Sequence, residues 1–418
     1  RGSAVLAALV ISDIHFIRHK RLPTDVDAEL RNGLLRFLPA VKERFPDLSV
    51  VLVCGDVAYH AVDSEYAAAT GFLREVQAAL GGARVLVIPG NHDIDRTRTT
   101  SPDQRNWRSE PRKSGLTPDE RDQALTELLE HERSGPGLFE PLTSFNRFAS
   151  AYGCEVSPSD PCWRVELPIH DRYTAEIRGL TSVLISDAYD DDDRLLLGDI
   201  QVADMAERPG VLNITLCHHP YTWLLDGERQ KARISHRSVV HITGHEHQHE
   251  ILVSDQWSSI HLCTGALQPT RDSTWAPRLY AIGVDVVEGS EGTTAQIEIV
   301  GARWDRAADQ FIVDTDEAYD VPIEVPAEAL TSIAEPQPSA AIARLIERIA
   351  ALQSSDRITV AANIEADLGE LARAPVYEFP RLLVDYGRER NLLHELCDEV
   401  KAMHGGQSGE ANPFPEQA

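Results

Sequence analysis

The sequence predicts an α/β fold, and two features of the chain carry this prediction. Four runs rich in Val, Ile and Leu have the length of strands and end at short polar motifs, at residues 4–11, 49–53, 84–88 and 212–216. Continuous apolar runs of this length are typical of strands covered on both faces. Between the first three runs, residues 27–43 and 64–80 carry apolar side chains at helical spacing. Alternation of strands and helices is typical of a parallel sheet with helices packed on it.

The same region contains further strands and one insertion. Strands are also predicted at residues 163–167, 174–177, 181–185, 261–264, 279–287 and 295–300. A polar, turn-rich insertion occupies about residues 96–137, with a helix predicted at 124–132. Its first half carries six basic side chains, Arg96, Arg98, Arg105, Arg108, Arg112 and Lys113. We therefore expect one α/β domain at residues 4–315, interrupted by this insertion.

A smaller domain is predicted after a linker. The linker is expected at residues 316–340, where four prolines occur, Pro322, Pro326, Pro336 and Pro338. From 341 to 405, apolar residues recur at helical spacing in two stripes, which predicts a small all-α module. Residues 406–418 are polar and are expected to be flexible.

Composition narrows the class of protein. The chain has 418 residues and a formal net charge of -26, which opposes a general nucleic-acid-coating role because phosphate contacts need clustered Lys and Arg. No run approaches ~18 apolar residues, so no membrane span is expected. No signal-peptide pattern is found, and the six cysteines are scattered without a CxxC pair. Together these features predict a cytoplasmic protein with reduced thiols.

Five short motifs place carboxylate, amide or imidazole groups in loops, and four of them directly follow an apolar run. They are Asp13-Ile14-His15, Gly55-Asp56, Gly90-Asn91-His92-Asp93, Cys217-His218-His219-Pro220 and Gly244-His245-Glu246-His247. Since ligands collect at the carboxyl ends of strands in covered sheets, we expect these loops to converge. The candidate metal ligands are Asp13, His15, Asp56, Asn91, His218, His245 and His247.

This ligand set predicts a site for two metal ions. Asp56 follows a glycine that allows a tight turn, and its two oxygens can bridge both ions. Mixed oxygen and nitrogen ligation suits Mn, Fe, Zn, Co or Ni better than Ca or Mg. Two ions about 3.5–4 Å apart neutralise phosphate oxygens and hold a bridging hydroxide at a lowered pKa. The expected chemistry is therefore hydrolysis of a phosphate ester.

The ordered motifs DxH, GD, GNHD, HxP and GHxH resemble those of the calcineurin-like metallophosphoesterases, over about residues 5–310. The resemblance implies a four-layer α/β/β/α sandwich of two mixed sheets and two divalent ions, with Mn or Fe favoured. It implies that the first ion is held by Asp13, His15, Asp56 and His247. It implies that the second ion is held by Asp56, Asn91, His218 and His245.

The resemblance also implies roles for the neighbouring side chains. His92 would be the general acid that protonates the leaving oxygen, with Asp93 holding its ring. His218 would be a ligand in preference to His219, because the family places its ligand two residues before the proline. We expect His219 to contact substrate, together with Arg96 and Arg98.

Departures from the family pattern narrow the substrate class. The Arg-Gly pair that follows the GD motif in protein Ser/Thr phosphatases is missing here. Tyr59 has the GDxxY spacing of purple acid phosphatases, but those enzymes lack the histidine present here as His15, so Tyr59 is not expected to be a ligand. The stretch 55–66, GDVAYHAVDSEY, resembles the GDLTxxGxxxEY pattern of class III cyclic-nucleotide phosphodiesterases. A small nucleotide-like phosphodiester is therefore the leading substrate class.

Two regions leave alternatives open. The basic insertion, which also contains Trp107, has two interpretations. It focuses an anionic substrate such as a nucleic acid end or single strand, or it is a solvated loop. The C-terminal helices loosely resemble death-like adaptor domains of bacterial effectors, which would imply a protein partner and a recruited nuclease; a plain helical bundle is the other interpretation. A phosphomonoesterase also remains an alternative. A catalytically inactive binding module is disfavoured because every ligand position is filled.

Overall fold

The structure is a computed structural model that describes two parts of the chain, which form separate compact units, Arg1–Pro326 and Ala327–Ala418. In the first unit it describes residues 6–17, 28–170, 172–187, 194–205, 208, 210–254, 259–268, 276–289 and 292–323. In the second unit it describes residues 345, 349, 352, 354–363, 383–384, 396 and 399–400. No helix among these described residues is both long and apolar enough to cross a lipid bilayer.

The first unit contains two six-stranded mixed sheets. The first sheet has the order β12-β11-β10-β1-β2-β3, with strands β1 Leu6–Ile11, β2 Leu48–Cys54, β3 Arg84–Ile88, β10 Arg278–Gly289, β11 Gly292–Asp305 and β12 Gln310–Ile323. Strands β1, β2 and β3 are parallel, as the alternating strand and helix pattern predicts, whereas β10, β11 and β12 form an antiparallel extension.

The second sheet has the order β4-β5-β6-β7-β9-β8. Its strands are β4 Trp163–His170, β5 Tyr173–Gly179, β6 Val211–Cys217, β7 Val240–Thr243, β8 His249–Ser254 and β9 Ser259–Thr264. The four inner strands are parallel, and the two edge strands β4 and β8 are antiparallel to them. The carboxyl ends of β6 and β7 therefore lie at one edge of this sheet.

Helices accompany both sheets. They are α1 Ala28–Arg44, α2 Asp63–Ala79, α3 Pro102–Ser109, α4 Pro118–Glu130, α5 Ser134–Phe139, α6 Thr143–Ala149 and α7 Gly227–Arg237. Local sequence explains where they begin: α4 starts with a Pro after the capping box formed by Thr117 and Glu120. The side chain of Ser101 caps α3 in the same way, by accepting a hydrogen bond from the Gln104 N–H.

The two sheets pack face to face around one apolar core. The indole N–H of Trp163 on β4 donates to the carbonyl of Val87 on β3 over 2.8 Å. The thiol of Cys54 on β2 lies 3.4 Å from the carbonyl of Cys217 on β6. Buried apolar residues of both sheets belong to a single cluster, and these contacts bring the ends of β1, β2, β3, β6 and β7 together. The expected α/β sandwich of two mixed sheets is confirmed.

Some predicted elements differ from the structure. Residues 181–185 form buried turns and not a strand, because the side chain of Gln201 hydrogen-bonds to both the N–H and the carbonyl of Thr181. Strand β12 continues to Ile323, into the segment expected to be linker, where it pairs with β11 despite Pro322. A proline is tolerated there because β12 is an edge strand. The insertion 96–137 is mostly helical and not turn-rich.

The second unit is described in part. A helix at Ser354–Asn363 is present. Nine described apolar side chains of this unit are buried: Leu345, Ile349, Leu352, Val360, Ala361, Leu383, Val384, Leu396 and Val400. This burial is that of a packed helical core. The rest of the expected linker from residue 324 onward and the expected flexible tail at 406–418 lie outside the described residues.

Candidate metal centre

The five motif loops meet at the carboxyl ends of β1, β2, β3, β6 and β7. Backbone hydrogen bonds join the loops to each other: Asp13 N–H donates to the Gly55 carbonyl (3.1 Å), and His15 N–H donates to the Asp56 carbonyl (3.0 Å). Gly244 N–H donates in the same way to the carbonyl of His218 over 3.0 Å. The convergence expected from the strand pattern is therefore present.

Four overlapping groups of side chains at this point could hold metal ions. In each group, one potential ligand atom per residue lies within 4.8 Å of the others. The groups are Asp13-His15-His247, Asp13-Asp56-His218, His15-Asp56-His92 and His218-His219-His245. All of the acidic and imidazole side chains predicted as ligands are members of at least one group.

The two oxygens of Asp13 have different surroundings. Oδ2 lies 2.5 Å from the hydroxyl of Ser12 and accepts the N–H of His245 over 3.1 Å. Oδ1 is buried without a hydrogen-bond partner and lies 3.6 Å from Nε2 of both His15 and His247. Donor atoms that share a metal ion at about 2.0–2.2 Å are separated by about this much. The spacing of Oδ1 and the two imidazole nitrogens therefore suits ligands of one metal ion.

Asp56 lies between the two ends of the cluster. Its Oδ2 is 3.4 Å from Nε2 of His218 and 3.9 Å from Nε2 of His15. Its Oδ1 accepts the backbone N–H of His92 over 2.8 Å, which fixes the orientation of the carboxylate. Asp56 therefore belongs to two of the four groups, one with His15 and one with His218.

Several buried polar atoms around Asp56 have no hydrogen-bond partner, and they fit a metal. Nδ1 of His218 faces the carbonyl of Cys54 at 2.8 Å, so a proton on Nδ1 leaves Nε2 free as a lone-pair donor. Nε2 of His218, Oδ1 of Asn91 and Nε2 of His219 are all buried and unpartnered. A buried orphan acceptor is costly unless something binds it, so these atoms suit divalent cations.

His218 and His219 differ in their relation to Asp56. The ring of His219 is fully buried, its Nδ1 lies 2.8 Å from the hydroxyl of Ser182, and its ring centroid is 4.5 Å from that of His245. Nε2 of His218 lies 3.4 Å from Oδ2 of Asp56. The geometry therefore agrees with the preference for His218 as the ligand, although His219 also lies in the cluster and not on a substrate-facing surface.

The ligand loops have an unusual backbone. Seven non-glycine residues among those described have positive φ, and five of them are candidate ligands: Asp13 (54°), His15 (49°), Asp56 (52°), His245 (68°) and His247 (52°). The left-handed region is disfavoured for residues with a Cβ, and such conformations cluster at functional sites. The motif sequences alone do not reveal this feature.

Close backbone approach explains two of the motif glycines. A Cβ on Gly90 would lie 2.1 Å from Oδ1 of Asp56 and 2.5 Å from its backbone nitrogen. A Cβ on Gly55, where φ is 87°, would lie 2.4 Å from the ring of His218. These positions require glycine because the loops cross within van der Waals contact of the ligands.

Burial and neighbouring charges set the protonation states of the metal-free centre. Burial alone would raise the pKa of the Asp13 carboxyl, but the adjacent imidazole of His247 and the charge of His218 lower it to about 2. Burial lowers the pKa of His218, yet the carboxylate of Asp56 outweighs it and raises the pKa to about 9, so Nε2 must release its proton when a metal binds there. Burial, helped by the charge of His218, lowers the pKa of His245 to about 4. At neutral pH the carboxylates are anionic and His245 keeps a free lone pair.

Asp93 has a different role from the one that the resemblance implied. Its carboxylate accepts hydrogen bonds from the N–H groups of Val57, Ala58 and Gly90 and from the hydroxyl of Tyr66. The ring of His92 is instead held through Nδ1, which lies 3.0 Å from the carbonyl of Tyr59. The expectation that Asp93 orients His92 is therefore corrected: Asp93 joins the GD loop to the GNHD loop.

The basic insertion is largely structural. Arg108 is 1% exposed and donates to the carbonyls of Ser186 (2.9 Å) and Leu138 (3.3 Å). The guanidinium of Arg112 donates to the carbonyls of Ile185 (2.7 Å) and Arg194 (2.8 Å) and pairs with Asp187.

The remaining side chains of the insertion are mixed in exposure. Arg98 is paired with Asp95 (3.1 Å) and Glu140 (2.8 Å), while Arg96 is exposed. The ring of Trp107 packs over Gly137, where a Cβ would lie 2.2 Å from it. The solvated-loop interpretation is wrong for Arg108 and Arg112, whose side chains bind the protein itself. The alternative, focusing of an anionic substrate, stays a prediction, as does substrate contact by Arg98. For Arg96, substrate contact stays a prediction.

Sequence reasoning does not identify several residues that position the ligands. Ser12 lies between the Asp13 carboxylate and the carbonyl of Cys54, which is 2.9 Å from its hydroxyl. Glu65 is buried and accepts the N–H groups of Tyr59 and His60. Glu65 belongs to the GD…EY stretch at 55–66, so its position after the GD motif is an available signal. Ser12, directly before the DxH motif, can be noticed in the same way.

Comparison with known proteins identifies the family. The sequence model described as calcineurin-like phosphoesterase matches residues 6–249. The uncharacterized metallophosphoesterase-like protein YydB of Bacillus subtilis (strain 168) is 24% identical over 307 residues, which cover 69% of this chain and 59% of that protein. The chain thus spans less than two thirds of the length of this curated relative.

The solved structures to which the chain is similar have low sequence identity. Vps29 of Chaetomium thermophilum is 12% identical with a TM-score of 0.31, and the match covers 77% of this chain and 100% of that one. Purple acid phosphatase PPD1 from yellow lupin (Lupinus luteus) is 10% identical with a TM-score of 0.38, covering 79% and 56% respectively. The family match spans more than half of the chain and all five motif loops, so this protein belongs to the calcineurin-like phosphoesterase family.

Proposed function

We propose that the chain is a metal-dependent phosphodiesterase acting on a small nucleotide-like phosphodiester. The observation that carries the proposal is the position of Asp56, whose Oδ2 lies 3.4 Å from His218 and 3.9 Å from His15. A carboxylate between two sets of imidazoles suits a pair of ions. The proposed ligands are Asp13, His15, Asp56 and His247 for one ion and Asp56, Asn91, His218 and His245 for the other.

Divalent ions bound there, with Mn or Fe favoured, would neutralise the phosphate oxygens and lower the pKa of the attacking water. The chain's own residues supply the rest of the proposed mechanism. A proton on Nδ1 of His92 is held by the carbonyl of Tyr59, which leaves Nε2 to carry the proton for the leaving oxygen. His92 is partly exposed, whereas Asp13 and Asp56 are buried, so its ring is accessible from solvent.

The preference for a diester over a monoester rests on the motif sequence. The stretch 55–66 resembles the pattern of class III cyclic-nucleotide phosphodiesterases. In the structure, Glu65 of this stretch accepts the N–H groups of Tyr59 and His60, which places the stretch beside the centre.

The proposal is tested with paired chromogenic substrates. Purified protein with Mn²⁺ should hydrolyse bis-p-nitrophenyl phosphate faster than p-nitrophenyl phosphate, and EDTA should abolish both rates. Asp56→Asn and His218→Ala should each lower kcat/KM by at least roughly 100-fold, because each substitution removes a proposed metal ligand.

A histidine outside the cluster provides the matched control. His131 is exposed in the insertion, and His131→Ala should leave the rate unchanged. Faster hydrolysis of the monoester would favour the phosphomonoesterase alternative. An unchanged rate in Asp56→Asn or His218→Ala would contradict the proposal that these residues bind catalytic metal ions.

A further inference from the structure

Two aromatic side chains flank the metal centre at different ends. The ring centroid of Tyr59 lies 4.7 Å from that of His92 and 5.7 Å from that of His15. The ring centroid of Trp223 lies 4.1 Å from that of His245. No ring contact joins Tyr59 to Trp223 in the described part of the chain, so each contacts its own side of the cluster.

Both rings lie where the centre is accessible. The carboxylates of Asp13 and Asp56 and the ring of His218 are buried, while His92 and His245 are partly exposed beside the two aromatic rings. Tyr59 is 38% exposed and is the sole aromatic among the exposed large hydrophobic side chains of the described residues. An exposed aromatic ring at a polar centre is not accounted for by core packing.

The backbone at Tyr59 is held rigidly although its ring is exposed. Its N–H donates to the carboxylate of Glu65 over 3.2 Å and to the carbonyl of Phe16 over 3.1 Å. Its carbonyl in turn faces Nδ1 of His92. The ring is therefore presented from a fixed loop, which reduces the entropy lost when a ligand stacks on it.

The backbone at Trp223 is held in a comparable way. Its carbonyl accepts the N–H of Leu195 over 3.0 Å, and its own N–H donates to the carbonyl of Pro220. The neighbouring Thr222 hydroxyl lies 3.5 Å from Glu246 in the last motif loop. Trp223 is half-buried, so one part of the indole packs on His219 and His245 and another part remains available.

We propose that Tyr59 and Trp223 bind the two organic arms of a phosphodiester by stacking, and that the enzyme selects arms that contain a planar aromatic ring. A nucleobase is such a ring, as is a simple aryl group. The inference rests on the proposed function for the position of the phosphate between the rings. Stacking of a ring on one aromatic side chain changes affinity by roughly 5- to 150-fold.

Binding measured by calorimetry tests the inference without requiring turnover. The probes are diphenyl phosphate and diethyl phosphate, added to the Mn²⁺-loaded protein. Diphenyl phosphate should bind at least about tenfold more tightly. Tyr59→Ala and Trp223→Leu should each reduce this preference, and the double variant should remove it. Tyr59→Phe, which keeps the ring, should retain the preference.

Val62 supplies the control, because it is exposed, apolar and close in sequence to Tyr59. Val62→Ala should leave the preference unchanged. Equal affinity of the two probes in the unmodified protein, or a preference that survives in the double variant, would overturn the inference. Failure of the proposed function has a different signature: the preference for diphenyl phosphate is present, but bis-p-nitrophenyl phosphate is not hydrolysed.

Discussion

Asp56 is the residue on which the proposed chemistry depends most. It is 1% exposed, and a backbone N–H from the next motif loop fixes one of its oxygens. Burial alone would raise its pKa, but the adjacent charge of His218 lowers the pKa well below the usual value. The carboxylate is therefore charged throughout the neutral range and ready to bind cations.

His92 gives a prediction at the level of a single side chain. We expect His92→Ala to lower kcat by about 10²- to 10⁴-fold for a diester with an alkoxide leaving group, because that leaving oxygen needs a proton. The same substitution should have a much smaller effect on bis-p-nitrophenyl phosphate, whose leaving group is stable without protonation. Steady-state rates on both substrates measure the contrast. Equal losses would exclude His92 as the general acid.

Gly90 gives a second prediction, with an internal control. Gly90→Ala should abolish metal-dependent turnover, because the new Cβ would fall 2.1 Å from Oδ1 of Asp56. Gly71 lies exposed in α2, and a Cβ added there would meet nothing within 4 Å. Gly71→Ala should therefore stabilise the protein by about 0.5–1 kcal/mol. Thermal unfolding and turnover are measured on both variants. Loss of turnover in Gly90→Ala but not in Gly71→Ala would show that the effect is a local clash at Asp56.

At the level of elements, β6, β7 and β9 carry a buried polar cluster behind the ligand loops. Nδ1 of His241 on β7 lies 2.7 Å from the hydroxyl of Thr215 on β6, and Nε2 of His261 on β9 lies 2.9 Å from that of Thr243. Burial lowers the pKa of His261 to about 4 and that of His241 well below its usual value. Both histidines are neutral in the folded protein at neutral pH.

This cluster predicts a dependence of stability on pH. Because the pKa of His261 is lower in the folded state than in the unfolded state, the unfolded state binds more protons below pH 6.5. Stability from this group is present above about pH 6.5 and is lost as the pH falls toward about 4. From about pH 7 to about pH 5 the loss should be about 2 kcal/mol.

Urea unfolding of the metal-free protein at about pH 7 and about pH 5 measures that loss. In His261→Gln the pH dependence should be smaller by about the same 2 kcal/mol, since glutamine keeps a polar side chain but does not titrate. A variant with the same pH dependence as the unmodified protein would contradict the lowered pKa. The metal must be removed first, since metal binding is itself pH-dependent.

The strands that lead into the motifs could be predicted from the sequence because they are long and uniformly apolar. Strand β7 could not be predicted, because it has four residues, Val240–Thr243, and one of them is the polar His241. The ring of His241 is buried against the ring of Tyr221, which local sequence does not show. The strand predicted at 181–185 is wrong because buried turns and buried strands have the same apolar composition. Tertiary contact with Gln201 separates the two.

The candidate ligands and the convergence of their loops could be predicted from the sequence, whereas the contacts that position the ligands could not. The spacing of the motifs identifies Asp13 or His218 as polar residues after strands, which local sequence can reveal. The partner of Asp93, by contrast, is Tyr66, 27 positions earlier. Likewise the buried contacts of Arg108 depend on Ser186, 78 positions away. Such choices depend on how distant segments fold together, which periodicity does not encode.

At the scale of the whole molecule, the candidate centre belongs to one of two compact units. All the candidate ligands lie within Arg1–Pro326. A chain ending at Pro326 should therefore retain kcat/KM for bis-p-nitrophenyl phosphate within about twofold, given that each unit has its own buried core. Circular dichroism of the shortened chain checks that it is folded.

Loss of turnover in a shortened chain that is folded would mean that the second unit contributes to catalysis. Retained turnover is the outcome expected if the second unit has a separate role, which we propose is binding of a protein partner. A pull-down that compares the full chain with the shortened chain tests that role directly. A partner that binds the two chains equally would contradict a binding role for the second unit.

The left-handed loops have a consequence for how such a protein evolves. Glycine or asparagine would fit these five backbone positions with less strain than aspartate or histidine. A lineage released from the need for metals could therefore gain thermal stability by simple substitutions there, while losing its chemistry. The present chain has aspartate or histidine at all five positions, so the backbone strain is retained where the candidate ligands lie.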